Sequence, residues 1–374
     1  MALPSTGPIS FSDINVELAV SATTQRSLND AAVRTLFGVA SGSIDMNTGH
    51  GKSNSANLTY IISSNTTQRS VNVATLSGYV AGKTNLTITI NNGIYVYSTT
   101  DSTPALTITG TTSGDTVSLI NNGYIMGKGG NGGYRAGSPG YTALSISSNI
   151  TLTNNGYIAG GGGGGGGFDQ GSVAIGLGGG GAGGGLGGFV ISATLTTAGY
   201  INFSYGSATQ ANMATYYPGV PYTSSTPGVA GTNGVMKVFS WSQPWGVSGT
   251  YYYGGSGSGG HIINGTGGFA GYGSSNAGYG GGTGGGGSGS LATNAGGVGG
   301  AGGSDNSAGS DAGTYPGFSF QCGGGGGGGW GAAGGAGKYQ GGTWGAGGAG
   351  GKAIALNGYS VTYVTQGTIY GAVA

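Results

Sequence analysis

Few residues in this 374-residue chain are of types that do covalent or metal chemistry, and they are scattered. The two histidines, His50 and His261, each sit in a glycine-flanked turn. Neither has a cysteine or carboxylate at metal-ligand spacing. Glu17 is the only glutamate. Asp305 and Asp311 share one polar loop, but it lacks the calcium-loop pattern and its closing Glu. Gly49-His50-Gly51-Lys52-Ser53 looks like the end of a phosphate-binding loop. Met46 stands where that motif needs its first glycine, and no helix signal follows Ser53, so a turn is expected. Cys322 abuts a glycine run with no basic neighbour to lower its pKa. No Gly-x-Ser-x-Gly elbow has histidine and acid partners. These observations argue against an enzyme, a cofactor or a metal site.

What remains is noncovalent contact. The interval 189–253 is dense in aromatics, and the glycine-rich half around it supplies the Tyr, Ser, Gly and Asn that binding loops favour. Candidate contact residues are Phe168, Asp169, Tyr216, Tyr217, Tyr222, Trp241, Trp245, Tyr251, Tyr252, Tyr253, His261, Tyr315 and Phe318. The competing reading is that some of these rings cap a scaffold without a side-chain core.

That scaffold is glycine. Almost all of the 95 glycines follow Met126. Gly160–Gly167 is unbroken, and other runs lie at 127–133, 176–188, 254–260, 265–271, 280–289, 296–303, 323–329, 331–337 and 341–351. Such runs read either as flexible linkers or as three-residue-per-turn polyproline-II-like helices. These helices make no internal hydrogen bonds, so every N–H and C=O needs a neighbour. Ordering a residue costs roughly 1–2 kcal/mol, against a net gain of about 0.5–1.5 kcal/mol per hydrogen bond. One run alone therefore stays disordered, and only a mutually bonded bundle can order. The similar run lengths, the aromatic interruptions and the scarcity of charge after residue 129 favour the bundle. Collagen is excluded by the absence of a chain-long Gly-X-Y period and by only nine prolines. If the runs alternate in direction, loops 168–175, 261–264 and 290–295 share one end, and the inserts 189–253 and 304–322 lie at the other.

The elements before the runs are of two kinds. In residues 1–55, Ser10-Phe11-Ser12-Asp13 and Ser27-Leu28-Asn29-Asp30 offer helix starts, and Gly38 sits where a C-terminal cap belongs. Helices this short need outside support. Phe11, Ile14, Leu18, Leu28, Val33, Leu36 and Phe37 are candidates for docking on a partner or a second copy, the alternative being a terminal ornament on the main fold. From Asn57 the pattern becomes alternating Thr-rich strands. Asn91-Asn92-Gly93-Ile94, Asn121-Asn122-Gly123-Tyr124-Ile125 and Asn154-Asn155-Gly156-Tyr157-Ile158 end three repeats, and Leu195–Ile201 is a weaker fourth copy suited to the same base. Asn-Gly between strands signals hairpins, whereas the unequal spacing of 30, 33 and 43 residues also fits stacked, solenoid-like units.

Ile125–Gly133 with Ala136-Gly137-Ser138-Pro139-Gly140, and Asn154–Ala159 leading into polyglycine, resemble the receptor-binding adhesins at the tail-fibre tips of T-even-type bacteriophages. The segment around Gly350–Gly371 is similar to their C-termini. The resemblance covers roughly 120–374. It implies a sandwich of polyglycine-II helices whose loops recognise bacterial outer-membrane proteins or surface glycans. Residues 1–55 look instead like the starts of other phage tail structural proteins.

The expected fold is mostly β and irregular, with short N-terminal helices, a β-repeat base and a glycine-rich polyglycine-II sandwich with aromatic loops. Expected boundaries are a docking module at 1–55, the base at 56–126, the glycine-rich domain at 127–353 with its insert 189–253, and closing strands at 354–374. The expected function is a phage tail adhesin, with a spacer of the fibre or baseplate as the main rival. An ice-binding protein ranks below both, since the runs lack a regular Thr or Ala face. Expected partners are a bacterial outer-membrane protein or lipopolysaccharide, other tail proteins, and a second copy through the N-terminal module. A net charge of +1 gives no footprint for nucleic acid. No apolar stretch spans a membrane, and no secretory signal opens the chain, so a virion protein made in the host cytoplasm is expected.

Overall fold

The computed structural model describes residues 2–169, 175–176, 178–187, 189–195, 201–206, 235–242, 248–255, 306–311, 322–339, 342–343 and 345–374. The chain opens with helix α1 (Phe11–Glu17), set by a capping box. Ser10 Oγ accepts the Asp13 N–H at 3.1 Å, while the Ser10 N–H donates to Asp13 Oδ2 at 2.8 Å. Helix α2 (Ala31–Phe37) ends as expected on Gly38 in the left-handed region, φ 74°. Its start differs from the sequence reading. Asp30 is the N-cap but makes no side-chain cap bond, and Ser27 Oγ instead accepts the Asn29 N–H. The segment resembling a phosphate loop is a turn tied to the chain start: Leu3 N–H donates to Lys52 O, and Gly51 N–H to Pro4 O.

Ile14, Val33, Leu36 and Phe37 are buried on one another, with Leu3 and Ile9. These four candidates therefore do not face a partner; they are this module's own core. Leu18 and Leu28 pack partly against them, and Phe11 alone of the seven is exposed. Val16, exposed beside it on α1, was not among the candidates.

The β region stacks in turns. The first turn holds β1 (Ala56–Ile62), β2 (Thr66–Thr67) and β3 (Arg69–Asn72). The second holds β4 (Thr84–Ile90), β5 (Tyr95–Tyr97) and β6 (Leu106–Thr109). The third holds β7 (Thr116–Asn121), β8 (Tyr124–Met126) and β9 (Leu144–Ile146). The fourth begins with β10 (Ile150–Asn154) and β11 (Tyr157–Ala159).

Within the glycine-rich region lie β12 (Phe168–Asp169), β13 (Ile175–Gly176), β14 (Phe189–Leu195), β15 (Ile201–Gly206), β16 (Val235–Ser242), β17 (Ser248–Gly255), β18 (Cys322–Gly323), β19 (Lys338–Tyr339) and β20 (Gly342–Thr343). The chain closes with β21 (Ile354–Ala355), β22 (Val361–Thr365) and β23 (Thr368–Tyr370).

Three parallel sheets result, ordered β1-β4-β7-β10-β22, β2-β5-β8-β11-β23 and β3-β6-β9-β21. Each turn contributes one strand to each face, so the base is a three-faced solenoid. β21 completes the fourth turn by pairing with β9, although some 200 residues separate it from β11. β22 and β23 start a fifth turn, and Val373 bridges Ile354. One core fills the space between the faces, with Leu86, Ile88 and Ile90 from the first, Val96, Ile125 and Ile158 from the second, and Leu106, Ile108 and Ile146 from the third.

The hairpin reading of Asn-Gly does not hold in these repeats. The strands flanking each motif belong to adjacent faces, and the motif turns a corner. Asn121 and Asn154 are buried there as a ladder, with Asn121 Nδ2 donating to Asn154 Oδ1 at 2.8 Å and Asn154 Nδ2 to Gln366 O at 2.8 Å. The tyrosine after the motif stacks from turn to turn. Tyr95 and Tyr124 have ring centroids 4.5 Å apart, Tyr124 and Tyr157 5.4 Å. The expected fourth copy departs from this pattern. Its flanks, β14 and β15, pair antiparallel in a separate sheet ordered β15-β14-β17-β16.

Glycine segments leave the solenoid at one corner, after β8 in the third turn and after β11 in the fourth. Gly160–Gly167 is buried throughout and belongs to no sheet apart from its neighbours' bonds. Its N–H groups at 161, 164 and 167 donate to Tyr141, Ser138 and Arg135. Those at 162 and 165 donate to Ala182 and Gly179, and those at 163 and 166 to Ala332 and Gly335. Its carbonyls repeat the rule. Gly161 and Gly164 accept from Gly351 and Gly348, Gly162 and Gly165 from Gly130 and Gly133, and Gly163 and Gly166 from Gly328 and Gly325. Every third residue thus meets the same neighbour, and six chain segments surround this one. A side chain has no room there: a Cβ on Gly164 would land on the Asn131 and Gly132 backbone.

Candidate functional site

The hydrogen-bond partners fix the direction of each run. Gly160–Gly167 leads away from the solenoid. Gly130 and Gly133 bond Gly162 and Gly165 in the same order, so 127–133 runs outward beside it. Tyr141, Ser138 and Arg135 are met in reverse order, so the chain turns at 134–136 and returns. By the same test 178–182 returns, 325–330 returns, 332–337 runs outward and 345–351 returns. The inner turns are at 183–184 and 331, where Gly183, Gly184 and Gly331 take positive φ. Trp330 is fully buried at that inner end against Met126, Ala159 and Ala182, sealing the lattice onto the solenoid.

This overturns the expected distribution of inserts. After the inner turn at 183–184 the chain goes outward again, because Gly129 N–H donates to Gly183 O and Gly132 N–H to Leu186 O. Strand β14 therefore departs from the outer end, level with Gly132, the end that also holds β12 and β13. Gly326 N–H donates to Ser310 O and Gly329 N–H to Ser307 O, so 307–310 also runs outward. The interval 312–321 is flanked by Asp311 and Cys322 at the same outer end. An extra inner turn, unmarked in a run of glycines, reverses the count that strict alternation assumed.

The outer end thus gathers the turn 134–136, the antiparallel pair β12–β13, the exit into β14, and the antiparallel set β18-β19-β20. β13 lies against β18. An ion pair clamps two outward runs here: Lys338 Nζ lies 3.1 Å from Asp311 Oδ2, and the Ala336 N–H donates to Asp311 Oδ1 at 2.8 Å. The Ala336 amide first, with Lys338, outweighs partial burial and holds the Asp311 carboxyl below the usual carboxylate range. Tyr134 and Arg135 are exposed in the turn 134–136.

Of the contact candidates, Phe168 and Asp169 form β12 at this end. Trp241 and Tyr251–Tyr253 lie in the β16–β17 pair, where Trp241 opposes Gly249 and Phe239 opposes Tyr251. Tyr216, Tyr217, Tyr222, Trp245, His261, Tyr315 and Phe318 lie outside the described residues. Tyr134 and Arg135 were missed by the sequence reading. Their signal was a spacing of three: Lys128, Asn131 and Tyr134 on one run, Arg135, Ser138 and Tyr141 on the next. Ala333 and Ala336, and Ala346 and Ala349, follow the same rule. On these runs one position in three has room for a side chain, and at Asn131 that side chain accepts the Leu186 N–H at 3.0 Å.

At the other extreme, Glu17 joins the N-terminal module to the solenoid. Its carboxylate is buried and lies 3.1 Å from Lys83 Nζ. It accepts the Asn54 N–H at 2.7 Å and Ser53 Oγ at 3.0 Å. Burial pushes its pKa up, but the Asn54 amide, Lys83 and Ser53 together bring it below the ordinary value. Among the described residues no cluster of His, Cys, Asp and Glu could hold a metal, and no helix is long and apolar enough to cross a membrane.

The model of the phage tail fibre adhesin Gp38 family matches residues 57–278, from the first solenoid strand into the glycine-rich region. The chain belongs to the phage tail fibre adhesin Gp38 family. Such an adhesin is a receptor-binding protein of the virion tail, and the glycine-rich lattice is the part of this one that carries its inserts. Among solved structures, the gp37–gp38 adhesin tip complex of the bacteriophage S16 long tail fibre aligns at 19% identity, covering 99% of this chain and 100% of that one, with a TM-score of 0.39. No curated protein matches the chain.

Proposed function

We propose that this adhesin binds a bacterial outer-membrane protein or surface glycan through the outer end of its glycine lattice. The observation that carries the reading is the convergence of the turn 134–136, the β12–β13 pair, the exit into β14 and the set β18-β19-β20 on one end, opposite the solenoid. The contact surface comprises the aromatic insert opened by β14, the β12–β13 pair, the 312–321 interval, and Tyr134 with Arg135. Tyr and Trp provide rigid contact area at low entropic cost, and the binding is noncovalent, without catalysis.

The glycine runs are read as polyglycine-II helices packed as a sandwich. A period of three in both donors and acceptors, and the lack of space for any Cβ on the central run, support this. The division of labour follows: 1–55 docks on other tail proteins or a second copy, 56–126 with 354–374 forms the base, and 127–353 displays the binding loops. The family is one of tail fibre adhesins, which favours a fibre protein as the docking partner.

The test is binding of fluorescently labelled full-length protein to a panel of Gram-negative strains, including mutants lacking major porins or outer lipopolysaccharide sugars. Saturable binding lost in one mutant is expected, and identifies the receptor class. Folded protein that binds no strain would favour the rival reading, a tail spacer without receptor contact.

A further inference from the structure

The solenoid corners and one glycine run carry a feature unrelated to receptor binding. Asn-Gly recurs at Asn92-Gly93, Asn122-Gly123, Asn131-Gly132, Asn155-Gly156 and Asn357-Gly358 among the described residues, while Asn233 and Asn264 lie outside them. Asn-Gly is the sequence most open to spontaneous deamidation, because glycine leaves its own amide nitrogen unshielded. The fold treats the five differently.

Gly123 N–H donates to Asn121 Oδ1 at 3.2 Å, and Gly156 N–H to Asn121 O at 3.1 Å. Gly132 N–H donates to Leu186 O at 2.7 Å. All three glycines are buried. Gly358 is exposed at the tip of a turn closed by the Tyr359 N–H on Leu356 O, but there the Asn357 side chain is held, donating to Ser145 Oγ and Ile146 O at 3.0 Å each. The second turn is built otherwise. Its corner between β4 and β5 holds four residues, 91–94, where the corner between β7 and β8 holds two. Ile94 N–H donates to Asn91 O at 3.2 Å, closing a β-turn with Asn92 and Gly93 at its tip. Both tip residues are exposed, Gly93 has φ 75°, and nothing lies within 4 Å of where its Cβ would be. Among the described residues the Gly93 N–H has no acceptor.

We propose that Asn92 is a spontaneous deamidation site and that solenoid stacking protects its counterparts Asn122 and Asn155. The Gly93 amide nitrogen, after losing its proton to solvent base, attacks Asn92 Cγ. The new C–N bond closes a cyclic imide as ammonia leaves with a proton from water. Water then opens either imide carbonyl, giving aspartate or isoaspartate, with no change in oxidation state. The product is a carboxylate at an exposed corner of a protein whose net charge is only +1.

The experiment ages purified full-length protein at mildly alkaline pH and follows each Asn-Gly peptide by mass spectrometry, with isoaspartate detection. A denatured sample is aged alongside. In the folded protein Asn92 is expected to react at least about tenfold faster than Asn122, Asn131 or Asn155, the factor that ~1.4 kcal/mol of local opening imposes. The rate at Asn92 rises with pH, and the differences shrink on denaturation. Asn92→Gln removes the product at this site and leaves the other four unchanged. Equal rates at Asn92 and Asn122 in folded protein would overturn the proposal, as would an intact Asn92 under conditions that convert the denatured chain.

Discussion

Gly164→Ala tests the lattice at its centre. The residue makes two bonds to neighbouring segments: its N–H donates to Ser138 O at 2.9 Å, and its carbonyl accepts the Gly348 N–H at 2.7 Å. An added methyl would overlap the Asn131 carbonyl and the Gly132 nitrogen, and both are backbone held by their own lattice bonds, so neither can swing aside as a side chain would. Forcing the methyl in costs about 1–3 kcal/mol of overpacking, and each hydrogen bond lost costs ~0.5–1.5 kcal/mol more. The unfolded chain opposes this by only about 0.4–1 kcal/mol, since alanine has less freedom to lose than glycine. The net destabilisation is roughly 3 kcal/mol. At roughly 2–4 °C per kcal/mol for a domain of 150–250 residues, the melting temperature falls by about 6–12 °C. The comparison is Ala349→Gly, the reverse change at an exposed position of an outer run, which should cost only ~0.4–1 kcal/mol. Thermal unfolding followed by circular dichroism on both variants, with chemical denaturation as a second measure, decides the matter. If Gly164→Ala melts with the parent while Ala349→Gly does not, close backbone packing is not what orders the runs.

Three further outcomes are expected. Replacing Trp241 and Trp245 with alanine abolishes cell binding without shifting the melting temperature; unchanged binding removes that part of the insert from the contact surface. Glu17 has a folded pKa below its unfolded one, so its contribution to stability is full above about pH 4.3 and is lost as pH falls through the folded value. Thermal unfolding followed from neutral pH down through the acid range reads this loss, and Glu17→Gln should flatten it; an unaltered pH profile in the variant would discard the Glu17–Lys83 link as its source. Finally, Phe11→Ala with Val16→Ser leaves the module folded but weakens its attachment to tail proteins in a pull-down, whereas Ile14→Ala, at a fully buried site, destabilises the module by ~2–5 kcal/mol. Intact attachment in the first variant would show that docking uses another face.

What could be read in the sequence depended on whether the signal was local. The capping box at Ser10 and Asp13 and the glycine end of α2 involve residues within one turn of each other, and both formed. Alternation in Leu86–Ile90 and Val117–Ile120 marked strands because one face of each meets a shared core. Choosing stacked turns over hairpins required knowing which strands pair, and that depends on long-range register: Val117 meets Ile150 rather than a residue across the Asn-Gly turn. The inner turn at 183–184 was illegible for a stronger reason. Glycine carries no side chain to mark a reversal, and its backbone adopts positive φ as readily as negative. Runs that differ only in direction therefore look the same, and the exit into β14 and the flanks Asp311 and Cys322 were assigned to the wrong end. The docking candidates failed differently. Apolar spacing in α1 and α2 is the same whether the face meets a partner or the other helix, and here Ile14 met Val33 and Phe37.

The position of the lattice in the chain explains how it can be ordered at all. A glycine run gains too little from its own bonds to offset the loss of backbone freedom, so its neighbours must be held near by something else. The solenoid does this. It anchors outgoing segments after Met126 and Ala159 and receives returning ones before Ala143 and Ile354, on stacked turns whose strands lie about 4.8 Å apart. Trp330, buried against Met126, Ala159 and Ala182, adds a side-chain contact at the inner end, where the glycines have none to offer. Backbone packing leaves no room for a side chain along the run from Gly160, and β12 and β14 begin only where such runs reach their outer ends. The exclusion of side chains from the central run and their presence at its outer end are therefore two results of one arrangement.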